Sequence, residues 1–136
     1  MDFIAFSLSG FDDFLLYFGL SIAFVAIFLW IYLRITPYHE IQLIREGNTA
    51  AAVSLSGTLI GYTLPLASAV IHSVNPWDMM IWALIALVVQ ILVYVVVKLM
   101  VRDVARQITE GKIATGVFLG ALSLGAGILN AACMTY

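Results

Sequence analysis

The stretch "TPYHEIQLIREGNTAAAVSLSG" (residues 36–57) passes from charged and polar residues to small residues at a Glu-Gly pair, Glu46 and Gly47. Long apolar runs lie on both sides of this stretch. A second stretch, "VRDVARQITEGKIATGVFLG" (residues 101–120), repeats the same order around Glu110 and Gly111. The fold must therefore contain an arrangement that the chain uses twice.

The composition is typical of a membrane protein. Of the 136 residues, 63% are hydrophobic and 10% are charged, whereas about a quarter of the residues in soluble domains are charged. Four apolar runs, at about residues 14–35, 49–71, 79–101 and 113–134, each approach or exceed the roughly 20 residues that cross a hydrocarbon core. Their continuous apolar character favours helices over barrel strands. We therefore predict an all-α integral membrane protein with four transmembrane helices.

The basic residues predict how these helices are oriented. All six Lys and Arg side chains lie in or beside the first and third connecting segments, and the segment between helices two and three has none. Basic loops stay on the cytoplasmic side of a membrane. Both basic connectors are therefore expected in the cytoplasm, with both termini on the opposite side.

An internal repeat accounts for the duplicated stretch. An offset of 64 residues aligns residues 41–69 with 105–133 and gives eight identities in 29 positions, including both Glu-Gly pairs. We predict a single membrane domain over residues 1–136 that contains two tandem repeats, at about residues 14–72 and 78–134. Because each repeat crosses the membrane twice, the two repeats are parallel and are related by an axis along the membrane normal.

Each repeat is expected to contain a short amphipathic connector helix. In the first connector, Thr36 is the predicted cap and Pro37 the first helical residue. The apolar residues can share one face, with Glu40 and other polar residues toward water, as in a helix that lies in the membrane interface. Gly47 and Gly111 are predicted to end the two connector helices.

The acidic residue of each Glu-Gly pair has two interpretations. Glu46 and Glu110 precede the next transmembrane helix, where unpaired backbone N–H groups and the helix dipole favour a carboxylate. Alternatively, the two glutamates form an acidic mouth for cations on the cytoplasmic side. The sequence leaves both open.

Small residues follow each pair and predict the centre of the bundle. Such faces let helix backbones approach closely in a membrane, so helices two and four are expected to pack together, with the bulkier helices one and three toward lipid. The glycines predicted to pack are Gly57, Gly61, Gly116, Gly120 and Gly125.

Polar residues inside the apolar runs predict a polar path. Gln90, near the middle of helix three, needs a partner, and an interhelical hydrogen bond would supply one. Pro65 leaves the Gly61 carbonyl without its usual helical donor, which makes that carbonyl a candidate ligand or hinge. The candidate path comprises Ser54, Thr58, Tyr62, Pro65, His72, Gln90 and Asn130.

Several chemistries are not expected. The two histidines, His39 and His72, are predicted on opposite sides of the membrane, and the chain has one cysteine, so no set of metal ligands can be drawn. The sequence has no phosphate-binding loop and no nucleophile beside a base. We expect no enzymatic activity, no cofactor and no nucleic-acid partner. The basic connectors suit anionic lipid headgroups.

Two tandem two-helix units, each with a basic connector that ends in "EG" before a small-residue helix, resemble the domain of unknown function 350 family. The resemblance covers most of the chain from about residue 14. It implies a bacterial inner membrane location and a four-helix fold, and no catalytic role can be carried over from it. In such a membrane the termini, which the basic residues place opposite the cytoplasm, would lie in the periplasm. Only Glu46, Gly47, Glu110 and Gly111 correspond to its motif.

Two functions remain compatible with these features. The first is a homo-oligomeric accessory or scaffold protein that uses its glycine faces to associate and its connectors to bind a cytoplasmic or membrane protein. The alternative is a small oligomeric channel or transporter lined by helices two and four.

Overall fold

A computed structural model describes residues 2–134, so the predicted domain extends beyond it by residue 1 and residues 135–136. The described residues form seven helices. They are α1 (Asp2–Leu8), α2 (Phe11–Ile35), α3 (Glu40–Arg45), α4 (Thr49–His72), α5 (Pro76–Met100), α6 (Val104–Thr109) and α7 (Ile113–Cys133).

Four helical segments are long and apolar enough to cross a membrane. They are Asp2–Ile35, which joins α1 and α2, together with α4, α5 and α7. The ends of these helices follow from local chemistry. The Asn75 side chain caps α5 by accepting a hydrogen bond from the Asp78 N–H at 2.9 Å, and Pro76 occupies the first turn, where its missing N–H costs nothing. The prediction of an all-helical protein with four apolar helices is confirmed.

Helices α4 and α7 make the most extensive contact in the bundle. Helix α5 packs against both of them, whereas α2 joins only through its second half, where Phe24, Phe28 and Tyr32 are buried. Phe28 stacks on Tyr62 of α4 with ring centroids 4.4 Å apart. Tyr32 meets Tyr94 of α5 edge to face at 5.8 Å. The first half of α2 is largely exposed on the outside of the bundle.

The first connector differs from its prediction in two ways. Helix α3 begins at Glu40, with His39 as the residue before it, and Thr36 instead ends α2, where its N–H donates to the Tyr32 carbonyl at 3.0 Å. The assignment of Thr36 as a connector cap and Pro37 as the first helical residue is therefore wrong. Glu40 does not face water either. It is 1% exposed, because its carboxylate turns back to accept a hydrogen bond from the Thr36 hydroxyl at 2.8 Å.

Candidate functional site

The centre of the bundle is a contact between helix backbones. A Cβ atom added to Gly57 would lie 2.5 Å from the Cα of Gly120, and one added to Gly116 would lie 2.8 Å from the Cα of Ala50. Gly127 lies in the same way against the backbone of Gly61. At these three positions no side chain fits between α4 and α7. The glycines thus hold the two helices together at the closest separation that backbones allow.

Gly125 does not belong to this contact, although the sequence predicts it there. A Cβ atom added to Gly125 would meet nothing within 4 Å. Successive residues of a helix are rotated by about 100°, so Gly125 lies about 140° around α7 from Gly120 and points away from α4. It lines an apolar cleft of about 490 Å³ between α5 and α7.

A polar node lies at the middle of the bundle. Gln90 of α5 is fully buried, and its side-chain amide donates to the Gly61 carbonyl of α4 and to the Ser123 carbonyl of α7, both at 3.0 Å. The Gly61 carbonyl is the one that Pro65 leaves without a helical donor. One amide therefore satisfies the proline-freed carbonyl and joins three helices.

Three buried hydroxyl groups of α4 are also bonded within the bundle. Thr58 donates to the Ser54 carbonyl at 2.9 Å and to the Ser123 hydroxyl at 3.2 Å. Ser54 donates to the Ala51 carbonyl at 3.0 Å. Tyr62 donates to the Ala83 carbonyl of α5 at 3.1 Å.

These contacts change the interpretation of the candidate polar path. Ser54, Thr58, Tyr62 and Gln90 are each no more than 1% exposed, and all four donate to groups inside the bundle. These side chains are hydrogen-bonded inside the contact of α4, α5 and α7. In this part of the chain the candidate path residues take part in helix packing.

Two further residues of the candidate path, His72 and Asn130, lie at the C-terminal ends of α4 and α7. The Ser68 hydroxyl donates to the Ala131 carbonyl at 3.3 Å and lies 3.3 Å from His72 Nδ1. The amide nitrogen of Asn130 is buried and has no hydrogen-bond partner among residues 2–134. Ser68 therefore links the His72 end of α4 to the Asn130 end of α7.

The two Glu-Gly pairs line a common surface cleft of about 370 Å³ at the connector end of the bundle. Gly47 and Gly111 follow α3 and α6 with φ angles of 86° and 82°, a left-handed conformation that glycine adopts without strain. Glu46 and Glu110 are exposed, and Glu110 lies 4.0 Å from Lys112. We name this feature the connector cleft.

Asn48 joins the two connectors. Its side-chain oxygen accepts the Ala51 N–H at 2.9 Å and so caps α4. Its side-chain nitrogen donates to the Ile108 carbonyl of α6 at 2.8 Å. One amide therefore fixes the start of α4 and ties it to the end of the second connector helix.

A second buried group lies at the same end of the bundle, between α2, α3 and α5. It consists of Glu40, Tyr32, Tyr38 and Tyr94, each no more than 5% exposed, and we name it the tyrosine–glutamate cluster. The three phenol oxygens and Glu40 Oε2 have no hydrogen-bond partner among the described residues. Burial, followed by the neighbouring Tyr32, Glu40 and Tyr94, raises the pKa of the Tyr38 phenol.

Comparison with known proteins identifies the family. The profile of the family described as Domain of Unknown Function (DUF350) matches residues 5–134. The chain belongs to the DUF350 family. The UPF0719 inner membrane protein YjfL of Escherichia coli strain K12 and that of Escherichia coli O157:H7 are each 48% identical over 120 residues, which is 88% of this chain and 91% of theirs. No solved structure shows a significant match.

With four apolar helices and relatives that are inner membrane proteins, this DUF350 protein is a multi-pass inner membrane protein.

Sequence patterns did not predict the positions of three residues that the structure makes prominent. Asn48 could have been found, since an amide directly after a helix-ending glycine favours a helix cap. Ser123 lies seven residues after Gly116 and so shares its helical face. For the burial of Glu40 the sequence offers no signal, because a glutamate in a short polar connector is expected in water.

Proposed function

We propose that this DUF350 protein is an oligomeric accessory or scaffold protein of the bacterial inner membrane. The observation that carries this proposal is the close contact between the backbones of α4 and α7, where a Cβ atom added to Gly57 would lie 2.5 Å from the Cα of Gly120. A centre packed in this way is a structural element that sets the distance between helices. It suits a protein that presents surfaces to other proteins.

Two tandem parallel repeats are part of the proposal. The hydrogen bonds that end the two connector helices support them, because they are the same at an offset of 64 residues. The N–H of Gly47 donates to the Ile44 carbonyl and that of Gly111 to the Ile108 carbonyl, both at 3.0 Å. The next residues, Asn48 and Lys112, each donate to the carbonyl five residues earlier at 2.9 Å.

We also propose that both connectors are cytoplasmic and both termini periplasmic. The support is the position of the basic residues, since Arg45, Arg102, Arg106 and Lys112 are all exposed at the connector end. The loop between α4 and α5, at the other end, has no Lys or Arg. Cysteine labelling from outside intact cells tests this in a Cys133→Ser background, because Cys133 is exposed. Val74→Cys, at a residue that is 83% exposed, should react and Gln42→Cys should not.

A second small-residue face on α7 supports self-association. Val117, Ala121 and Gly125 recur every four residues and so lie along one side of the helix, where each is exposed or half-buried. Apolar clefts of about 410 Å³ and 490 Å³ lie on either side, toward α4 and toward α5. We name this surface the α7 outer face and propose that a second copy packs against it.

Cross-linking in membranes tests that contact. In a Cys133→Ser background, Val117→Cys and Ala121→Cys should each give a covalent dimer with a short bifunctional maleimide. Ile22→Cys is the matched control, because Ile22 is 54% exposed near the middle of α2 but outside the α7 outer face. Equal cross-linking of Ile22→Cys and the two α7 variants, or none in any of them, would refute the proposed contact.

The exposed basic residues of the second connector are the proposed surface for a cytoplasmic or membrane protein partner. Arg106 lies 3.4 Å from Asp103, and both side chains are more than half exposed, so this ion pair leaves the arginine available. Arg102→Glu with Arg106→Glu should release a co-purifying partner, whereas Arg45→Glu on the other connector should release less. We propose no enzymatic reaction, cofactor or nucleic-acid partner.

The channel alternative would need a path between subunits, since Ser54, Thr58 and Tyr62 of α4 are hydrogen-bonded inside each subunit. The double substitution Ser54→Leu with Thr58→Leu distinguishes the scaffold from the channel, provided that the variant is shown to fold. A variant that folds, keeps its partner and loses ion flux would favour the channel.

A further inference from the structure

The tyrosine–glutamate cluster contains the one carboxyl group that the described part of the chain buries. Glu40 is 1% exposed. Its Oε1 accepts the Thr36 hydroxyl at 2.8 Å, and its Oε2 is buried without a hydrogen-bond partner among residues 2–134. The ion pairs of the described residues are Arg106 with Asp103 and Lys112 with Glu110, and neither involves Glu40.

An ionised carboxylate in this position is unfavourable. A charge that is removed from water needs an opposite charge or several hydrogen bonds, and without them the group becomes neutral instead. Glu40 has one hydrogen bond, from Thr36, and no cation beside it. A neutral carboxylic acid fits better, since its O–H can donate to a neighbouring phenol oxygen.

The tyrosines that face Glu40 come from three parts of the chain. Tyr32 lies on α2, Tyr94 on α5 and Tyr38 in the segment that joins α2 to α3. Helix α4, against which α3 packs, has no Asp, Glu, Lys or Arg. All three are phenols, which are uncharged near neutral pH. None of them can therefore neutralise a carboxylate there. The remaining titratable neighbour is His39, which is exposed.

A small surface cleft borders the cluster. A cleft of about 120 Å³ is lined by Glu40, His39 and Gln42, together with Leu33 and Ile41. Polar side chains on both sides of Glu40 thus open toward water at the connector end of the bundle. The cluster is buried, but His39, the residue directly before Glu40, is exposed.

We propose that Glu40 and its three tyrosines form a proton-binding site at the connector end of the bundle, which exchanges one proton with the aqueous phase near neutral pH. On binding, the proton forms an O–H bond with the Glu40 carboxylate and removes its charge, and nothing is oxidised or reduced. With the proton bound, the Glu40 side chain stays among the tyrosines and α3 stays packed against α4. Without it, the carboxylate favours water, which loosens the start of α3.

The charge state of Glu40 follows from its surroundings. Burial raises the pKa of the Glu40 carboxyl from its ordinary 4.5 to about 7, and the Thr36 hydrogen bond opposes that rise. A proton therefore binds and leaves within the range of pH that a cytoplasm covers. The site lies outside the α4–α7 contact, so its existence does not depend on the proposed scaffold function.

Infrared difference spectroscopy of the protein in lipid nanodiscs tests the site. Between pH 5 and pH 9 the carbonyl stretch of a protonated carboxylic acid should disappear with a midpoint near pH 7. Glu40→Gln should remove this band, because glutamine keeps an acceptor for Thr36 but cannot titrate. Glu46→Gln is the matched control, since Glu46 is exposed on the same connector, and it should leave the band unchanged.

Thr36→Val is the second variant. Loss of its hydroxyl removes the hydrogen bond that favours the ionised form, so the midpoint should move to higher pH. A wild-type protein without the band at pH 5, a band that persists at pH 9, or one that survives in Glu40→Gln would each overturn the proposal. A midpoint that moves to lower pH in Thr36→Val would overturn the role of Thr36 in it.

Discussion

The side-chain nitrogen of Gln90 lies 3.0 Å from the carbonyl oxygen of Gly61, the carbonyl that Pro65 deprives of its helical donor. A proline in the second half of α4 thus has its partner on α5, 25 residues further along the chain. The same amide reaches the Ser123 carbonyl at 3.0 Å. Three helices meet at this side chain, so its removal should destabilise the bundle.

Gln90→Leu should lower the stability of the fold by about 1–2 kcal/mol, because it leaves the buried Gly61 carbonyl without a donor. Pro65→Ala restores an N–H that can donate to that carbonyl within α4. Gln90→Leu should therefore cost less in a Pro65→Ala background. Thermal unfolding of the four proteins in one detergent completes the double-mutant cycle. Equal costs in both backgrounds would show that the two residues are not coupled through Gly61.

Gly57→Ala should destabilise the bundle by about 1–3 kcal/mol, because the new methyl group meets the backbone of α7 and forces the helices apart. Gly19→Ala is the control. It makes the same change within a membrane-spanning helix, but its Cβ would meet nothing within 4 Å. The control should be neutral or slightly stabilising. Similar unfolding temperatures for the two variants would contradict the close contact of α4 and α7.

Asn48→Ala should cost about 1–2 kcal/mol, since it removes both the cap of α4 and the bond to the Ile108 carbonyl. Lys112→Ala is the matched control at the equivalent position of the second connector, where the structure shows no side-chain cap. It should change stability little. Hydrogen exchange of the first turn of α4 gives a local readout, and only Asn48→Ala should accelerate it.

The stability of the protein should decrease as the pH rises from about 4.5 to about 7. The folded-state pKa of Glu40 is raised from 4.5 to about 7, so the folded protein binds this proton more tightly than the unfolded chain. The stabilisation is complete below the unfolded value and is lost as the pH approaches the folded one. Above pH 7, the unfolding temperatures of wild type and Glu40→Gln should change with pH at the same slope. If Glu40→Gln showed the same decrease in stability between about pH 4.5 and pH 7, that decrease would come from other groups.

The sequence predicts the four apolar helices well because long continuous apolar runs have few alternatives in a membrane. It predicts the glycine contact less completely. The sequence shows a small residue at Gly125 but not the direction in which it points. Five residues after Gly120, it lies about 140° further around α7 and faces away from α4. Gly61 and Gly125, which the offset of 64 residues aligns, therefore have different surroundings.

The connector is the part of the fold that sequence patterns describe least well. Thr36 and Pro37 resemble the start of a helix, yet Thr36 completes the last turn of α2. That shift moves the start of α3 to Glu40 and turns its carboxyl group into the bundle. Short helices have few residues to define a face, so packing against the rest of the bundle, chiefly α4, decides which side is buried.

Electron microscopy of the protein in lipid nanodiscs is the most direct test of the scaffold proposal. We expect an oligomer in which α4 and α7 touch through Gly57 and Gly120 and the α7 outer face lies at the contact between subunits. A monomer, or an oligomer with a hydrated path between α4 and α7 of one subunit, would contradict it.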